Sequence, residues 1–397
     1  MKSIRELYRI GYGPSSSHTM GPRRAAEMFH ERHPEAARFE VTLYGSLGAT
    51  GRGHMTDVAI LDVMPTAEII WKGDVFLPYH PNGMLFRSFD ADGKETESWT
   101  VYSVGGGALS EGGAKIESRD IYDLNTMTEI LEYCKWSGKC YWEYVEDCEG
   151  PEIWDFLAEV WNVMRNAVEQ GLEAEGVLPG PLNLRRKAAT YFVRAGGYQD
   201  NLRSRGLVFA YALAVSEQNA SGGQIVTAPT CGSCGVLPGV LYHLSKGKHF
   251  SDTRILRALA TAGLFGNVVK HNASISGAEV GCQGEVGVAC AMASAAANQL
   301  FGGSPNQIEY AAEMGLEHHL GMTCDPVCGL VQIPCIERNA YAAARALDSN
   351  IYSTFSDGTH RVSFDKVVSV MKQTGHDLPS LYKETAQGGL AKDYQQM

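Results

Sequence analysis

Three cysteines and two histidines carry the chemistry that this sequence most readily supports. Cys282 stands in AEVGCQGEVGVAC, Cys335 follows Pro334 in QIPCIERNA, and Cys324 lies between Thr323 and Asp325-Pro326, in a turn. Glycines flank Cys282, and a helix is expected to begin near Glu285; Pro334 puts Cys335 in the first turn of another helix. A thiol at a helix N-terminus meets free backbone N–H groups and the positive end of the helix dipole, so it ionises more easily. Three thiolates at loop-to-helix junctions suit one metal centre, with glycine N–H groups donating to inorganic sulfides. By position alone each thiol is also an ordinary small core residue, and Cys290, inside an Ala-rich helix, fits that description. His18 in SSSHT and His54 in GRGHMTD are the candidate proton-transfer groups, because imidazole titrates near neutrality. The hydroxyls of Ser15, Ser16, Ser17 and Thr19 precede PRRAAEMF, where they can cap a helix and also donate to a carboxylate. His80 and Asn82 in HPNGM are further candidates, for which a turn before a strand is the simpler explanation.

The elements that must position these groups are of two kinds. Up to about residue 120 the chain mixes strands and helices: FEVTLYGSLG reads as a strand, and MLFRSFDADGKETESWTVYSVGG as a hairpin turning at Asp92 and Gly93. A helical, Glu-rich stretch from Cys134 to Gly150 carries Trp136, Trp142 and three cysteines and marks the passage into a second region. Beyond about residue 152, Ala-rich runs such as EVGVACAMASAAANQL and ERNAYAAARAL alternate with Gly-rich turns such as ASGGQ, GSCG and GGSP. The fold class expected is therefore α+β. A small N-terminal α/β domain spans 1–135, a linker 136–151, and a mainly α-helical domain 152–397.

Composition narrows the function classes. With 397 residues, 44% hydrophobic and 20% charged, the chain can bury a sizeable core. Its net charge of −11 and the lack of a basic stripe argue against nucleic acid and anionic membrane as partners, and leave a small-molecule substrate. No charged leader with an apolar core and no apolar run of about 18 residues stands out, so a cytoplasmic location is expected. Ten cysteines in such a chain should be mostly reduced.

The strings GPSSSHTMGP, YGSLGATGRGHMTD, HPNGM, YSVGGG, ASGGQIVTAPT, NASISGAEVGCQGEVGVAC, GLEHHLGMTCDPV and QIPCIERNA together resemble the iron–sulfur-dependent L-serine dehydratase family in its single-chain form, nearly end to end. The resemblance implies an L-serine ammonia-lyase that releases pyruvate and ammonia. It also implies a [4Fe-4S] cluster held by Cys282, Cys324 and Cys335, with one iron left without a protein thiolate. That iron would act as a Lewis acid on the β-hydroxyl while a histidine takes the α-proton, which answers the two difficulties of the reaction: a poor leaving group and a weakly acidic proton. The resemblance places the SSSHT and GRGHMTD strings in an active site between the domains; of the two histidines there, we take His54 as the expected base, with His18 orienting it or sharing its proton. Substrate contacts fall to Ser15, Ser16, Ser17, Thr19, His80 and Asn82. By the same resemblance the N-terminal domain is similar to an allosteric substrate-binding domain, which raises the possibility of a regulatory serine site, and the chain is expected to form a homodimer.

Several features depart from the family or compete with it. Cys231, Cys234 and Cys328 stand where the family often has no thiol. They are expected to be small residues packed near the cluster, with cluster coordination or a redox pair as alternatives. Some relatives seal the open iron with a C-terminal cysteine, but this chain ends AKDYQQM. Competing functions are a cluster enzyme acting on cysteine, a non-catalytic iron–sulfur redox sensor, and a pyridoxal-phosphate lyase using Lys270. The glycines of GSLGATGRG do not have dinucleotide-binding spacing, and Glu317-His318-His319 is not the zinc motif H-E-x-x-H.

Overall fold

The computed structural model describes residues 1–112, 114–115, 119–385 and 387–394, so the last three residues of the AKDYQQM terminus lie outside the described ones. It is an α+β protein. A six-stranded sheet has the order Glu68–Lys72, Arg38–Tyr44, Gly83–Phe89, Glu95–Ser103, Leu109–Glu111, Ala114–Lys115. The first pair is parallel and the others antiparallel. The parallel pair needs a crossover, which the helices Gly45–Thr50 and Thr56–Leu61 provide. Phe39, Val41 and Leu43 alternate onto one face, where the helix Gly21–Arg32 lays Ala25, Ala26 and Phe29. Phe29 packs against Phe39, Phe86 and Trp99 with ring centroids 6.0, 5.5 and 6.1 Å away, closing a separate small core.

Local readings of the sequence meet the structure in three places. The hairpin turns at Asp92 and Gly93, where Gly93 has φ +77°. FEVTLYGSLG is a strand only as far as Tyr44; Gly45, at φ +51°, turns the chain into a short helix. The stretch from Cys134 to Gly150 belongs to two helices, Met127–Ser137 and Tyr141–Glu149, separated at Gly138, whose φ of +72° ends the first.

The larger core is helical. At its centre the helix Val288–Leu300, VACAMASAAANQL, is buried at every position but Gln299. It packs against the helices Asp252–Asn272, Pro305–Glu317 and Cys335–Phe355. Small side chains let the backbones approach closely: a Cβ at Gly315 would stand 3.1 Å from the backbone of Ala291. Met1, Ile4, Leu7 and Tyr8 also lie in this core, as do residues of the helices Met127–Ser137 and Tyr141–Glu149. The strand Ile10–Tyr12 pairs antiparallel with Gln224–Val226. The N-terminal segment thus leaves the helical core just before the SSSHT string. Among the described residues, no helix is long and apolar enough to cross a membrane.

Candidate active site

A cavity between the two cores is lined by Ser15, Ser16, Ser17 and His54 on one side and by Cys282, Cys324, Cys335, Glu285 and Glu384 on the other. Gly105, Gly106, Thr230 and Ser276 are also part of its wall.

On the histidine side, residues Ser16–Met20 form a π-helical turn ahead of the helix Gly21–Arg32. Ser15 caps that turn, its Oγ accepting from His18 N at 3.1 Å. His54 is buried, and its Nδ1 lies 3.2 Å from the carbonyl of Thr50. A carbonyl only accepts, so Nδ1 carries the proton and Nε2 carries the lone pair. Among the described residues, Nε2 is buried without a hydrogen-bond partner. Burial pulls the pKa of His54 down to about 4, against the pull of the Thr50 carbonyl, so the ring is neutral near pH 7. The ring of His18 lies 4.5 Å away at 36°. Both of its nitrogens are engaged, Nδ1 with Ser17 Oγ and Nε2 with Ser46 Oγ, each at 2.9 Å. Burial first, and then the neighbouring His54, holds its pKa well below the ordinary value.

Two further hydroxyls fix the backbone of this side. Thr19 Oγ1 donates to His54 O at 2.7 Å, and Thr56 Oγ1 donates to His18 O at 2.5 Å. Thr19 does not line the cavity; it positions His54. His80 and Asn82 do not line the cavity: His80 Nδ1 accepts from Asn82 N at 3.1 Å, and Asn82 Nδ2 donates to Ser103 O at 3.3 Å. The structure therefore brings His54 and the three serines to the cavity, and not Thr19, His80 or Asn82.

On the thiol side, Cys282 immediately precedes the turn Gln283–Gly287, which runs into the helix Val288–Leu300. Cys335 opens the helix Cys335–Phe355 directly after Pro334. Cys324 is held by the C-terminal segment: its N donates to Tyr382 O, and its carbonyl accepts from Glu384 N, both at 2.8 Å. Arg338 braces the same loop, with Nη1 donating to Thr323 O at 2.7 Å and Nη2 3.3 Å from Asp325 Oδ1. All three thiols are buried and unbridged. The Sγ atoms of Cys282 and Cys324 and a carboxylate oxygen of Glu285 lie within 4.8 Å of one another. Cys324 is held well above the ordinary thiol range by its hydrogen bond with Cys282 and by burial, and Cys335 by burial and then by Cys282. Three thiolates this close and this buried would repel one another, so ionising the whole wall requires a positive centre.

That donor set is chemically right for iron–sulfur ligation: soft sulfur and three ligands on one cavity. Glycine keeps further side chains off these groups, since a Cβ at Gly277 would stand 3.1 Å from Cys324 Sγ and one at Gly232 3.3 Å from Glu285 Oε1.

Two acidic cavity residues escaped the sequence reading. Glu285, three residues after Cys282, accepts from Thr230 Oγ1 at 2.8 Å and lies 3.9 and 4.0 Å from the thiols of Cys282 and Cys324. Its place in the Cys282 string was the available signal. Glu384 reaches the cavity only because the C-terminal segment straps across Cys324; burial and then Glu285 push its pKa up to about 8. Nothing local marked it.

Other candidates resolve differently. Cys231 and Cys234 are buried beside the cavity but do not line it, and the Sγ of Cys231 lies 3.3 Å from Met20 Sδ. Cys328 is exposed, at φ +55°. Lys270 donates to Glu6 O at 3.0 Å and does not line the cavity, which removes the support for a Schiff-base lysine. His318 is exposed while His319 is buried against Gly315 O, so the pair diverges.

Comparison with known proteins gives one answer. Residues 85–391 match the family model of the serine dehydratase alpha chain, and residues 3–64 that of the beta chain. An L-serine dehydratase of Streptomyces coelicolor is 42% identical, covering 98% of both chains. L-serine dehydratase TdcG of Escherichia coli is 40% identical over 98% of this chain and 99% of its own. An L-serine dehydratase of Helicobacter pylori is 33% identical over 98% of each. The Streptomyces alignment runs over 447 positions against 397 residues here, so that relative carries internal segments that this chain lacks.

Proposed function

The chain belongs to the L-serine dehydratase family, and from that premise we propose that it deaminates L-serine to pyruvate and ammonia with His54 as the α-proton base and a [4Fe-4S] cluster on Cys282, Cys324 and Cys335. One observation carries the reading: a neutral His54 with an unpartnered Nε2 faces three buried, unbridged thiols across one cavity.

The cluster, when bound, supplies Lewis acidity for departure of the β-hydroxyl. The chain does the rest. Ser15, Ser16 and Ser17 present hydroxyls to the substrate carboxylate from one wall. His54 Nε2 takes the proton from Cα; the electron pair of that bond becomes the Cα=Cβ double bond as the Cβ–O bond breaks. The imidazolium formed is stabilised by its Nδ1–H bond to Thr50 O, whose pull is already part of the pKa near 4, and by the incoming carboxylate, which raises that pKa further. His18, with both nitrogens taken by serine hydroxyls, holds the His54 ring in place. The product, aminoacrylate, tautomerises to an imine that water hydrolyses to pyruvate and ammonia.

The test is anaerobic reconstitution, with iron and sulfide counted per chain and pyruvate release from L-serine followed with and without an iron chelator. About four irons with chelator-sensitive turnover support the reading. Turnover without iron would overturn the cluster chemistry, and a loaded cluster without turnover would overturn the substrate.

A further inference from the structure

The thiol–histidine cavity is uneven in charge. Glu285 and Glu384 line it, and among its lining residues there is no lysine or arginine. Arg338, which braces the thiol loop, is committed to Thr323 O and Asp325. The two carboxylates differ. Glu285 accepts from Thr230 Oγ1 at 2.8 Å and stands 3.9 and 4.0 Å from the thiols of Cys282 and Cys324. Glu384 is held through its backbone: its N donates to Cys324 O at 2.8 Å, and the neighbouring Lys383 bridges to Cys324. Among the described residues, its carboxylate takes part in no hydrogen bond and no ion pair.

The backbone of Glu384 is also unusual. It holds φ +58°, a left-handed conformation that a residue with a Cβ adopts at a cost, and such outliers collect where a side chain must be placed. A carboxylate drawn out of bulk water without a partner is unfavourable in itself. Across the same cavity His54 Nε2 is likewise unpartnered among the described residues, on a side chain only 1% exposed. A cavity that offers a free base and a free anion, and no cation, fits a ligand that carries both a removable proton and a positive charge.

The substituents of an amino acid's α-carbon point to the corners of a tetrahedron. The proposed function assigns all but one of them: the hydrogen to His54 Nε2, the carboxylate to the wall of Ser15, Ser16 and Ser17, and the hydroxymethyl arm to the thiol side. The ammonium remains, and Glu384 is the carboxylate without a partner on the cavity wall. We infer that Glu384 receives the α-ammonium of the substrate and so sets the preference for an amine-bearing acid of the L-hand; this rests on the reading of the cavity as the serine site. The hand follows from the geometry. With the carboxylate and the hydroxymethyl arm fixed, D-serine exchanges the other two substituents, turning its ammonium to His54 and its hydrogen to Glu384, so the base meets no α-proton.

The experiment titrates the reconstituted holoenzyme by anaerobic calorimetry with L-alanine and, separately, propionate. The two differ only in the ammonium, and neither has a hydroxyl to lose, so binding is read without turnover. L-alanine is expected to bind roughly 10–100-fold more tightly than propionate, as a charge-assisted hydrogen bond in a secluded site provides. Glu384→Gln should remove most of that preference by weakening L-alanine while leaving propionate unchanged. It should also raise the KM for L-serine by a similar factor, with a smaller change in kcat. Equal affinity for the two ligands in the wild type overturns the assignment, whether or not the variant folds. So does a variant that weakens both ligands equally, which is the mark of a structural role, or one that leaves L-alanine unchanged. Failure of the serine reading looks different: L-alanine is then preferred and responds to Glu384→Gln while L-serine releases no pyruvate, which upholds Glu384 as the ammonium site for another amino acid.

Discussion

The two walls of the serine cavity are built on opposite plans. The histidine wall is settled by its own hydrogen bonds: Ser15, Ser17, Ser46, Thr50, Thr19 and Thr56 fix two rings and their backbones. The thiol wall is not settled. Its three sulfurs crowd two carboxylates; the hydrogen bond with Cys282 and then burial hold Cys324 in the protonated form, and burial and then Cys282 hold Cys335 so. One wall is preorganised without a cofactor, as a proton-transfer site must be. The other acquires its lowest-energy state only when a positive group replaces the thiol protons. Substitutions on the thiol wall should therefore register first in cofactor content, and those on the histidine wall in turnover at unchanged cofactor content.

The largest effect expected is at Cys324. Cys324→Ala should abolish chelator-sensitive turnover and lower bound iron, measured by iron and sulfide analysis and by the visible charge-transfer band; full iron content in that variant would break the contrast between the walls. Next is His54→Gln, which keeps an Nδ1-like donor but no basic nitrogen. It should lower kcat by roughly 10²–10⁴-fold with iron and sulfide unchanged, as expected for loss of a general base.

A third outcome concerns pH. His54 and His319 are both pulled down to about 4 by burial, from an ordinary value near 6.5. The unfolded chain therefore binds more protons than the folded one between those values. Their contribution to stability is complete above pH 6.5 and falls away as the pH drops toward 4, by roughly 3 kcal/mol per histidine at the limit. Thermal unfolding of the chain at pH 7 and pH 5 should show the loss, with a smaller slope in His54→Gln. Equal slopes would show that His54 is less isolated from water than its burial indicates.

Smaller still is Thr19→Val, which removes the donor to the His54 carbonyl without touching the cavity. It should cost about 1 kcal/mol, read as an approximately fivefold drop in kcat with little change in KM. The smallest effect belongs to Cys231→Ala with Cys234→Ala. Because neither thiol lines the cavity, the double variant should keep both its cluster and its activity; loss of iron would place those thiols on the cofactor side after all.

Much of this was legible in the chain. The strand of Arg38–Tyr44, the hairpin at Asp92 and Gly93, and the Ala-rich buried helices follow from period-two and period-3.6 patterns that need only near neighbours. The positions of Cys282 and Cys335 at helix starts were written in flanking glycine and proline. Where the reading slipped, the cause was local as well: at Gly45 a positive φ turned an apparent strand into a helix.

What the sequence determined by itself was the inventory: an α+β chain, three thiols at loop-to-helix junctions, and two histidines among hydroxyls. What only the tertiary structure decided was who faces whom. Thr19 stands behind His54 because its hydroxyl meets a carbonyl 35 residues away. Glu384 entered the cavity because the C-terminal segment pairs with Cys324. His54, and not His18, was left with a free nitrogen because Ser46, 28 residues beyond His18, occupies the second nitrogen of His18. Each of these is a contact between distant residues, and the free energy that selects it comes from burying and satisfying polar groups in one packed core, a quantity that no local pattern of residues contains.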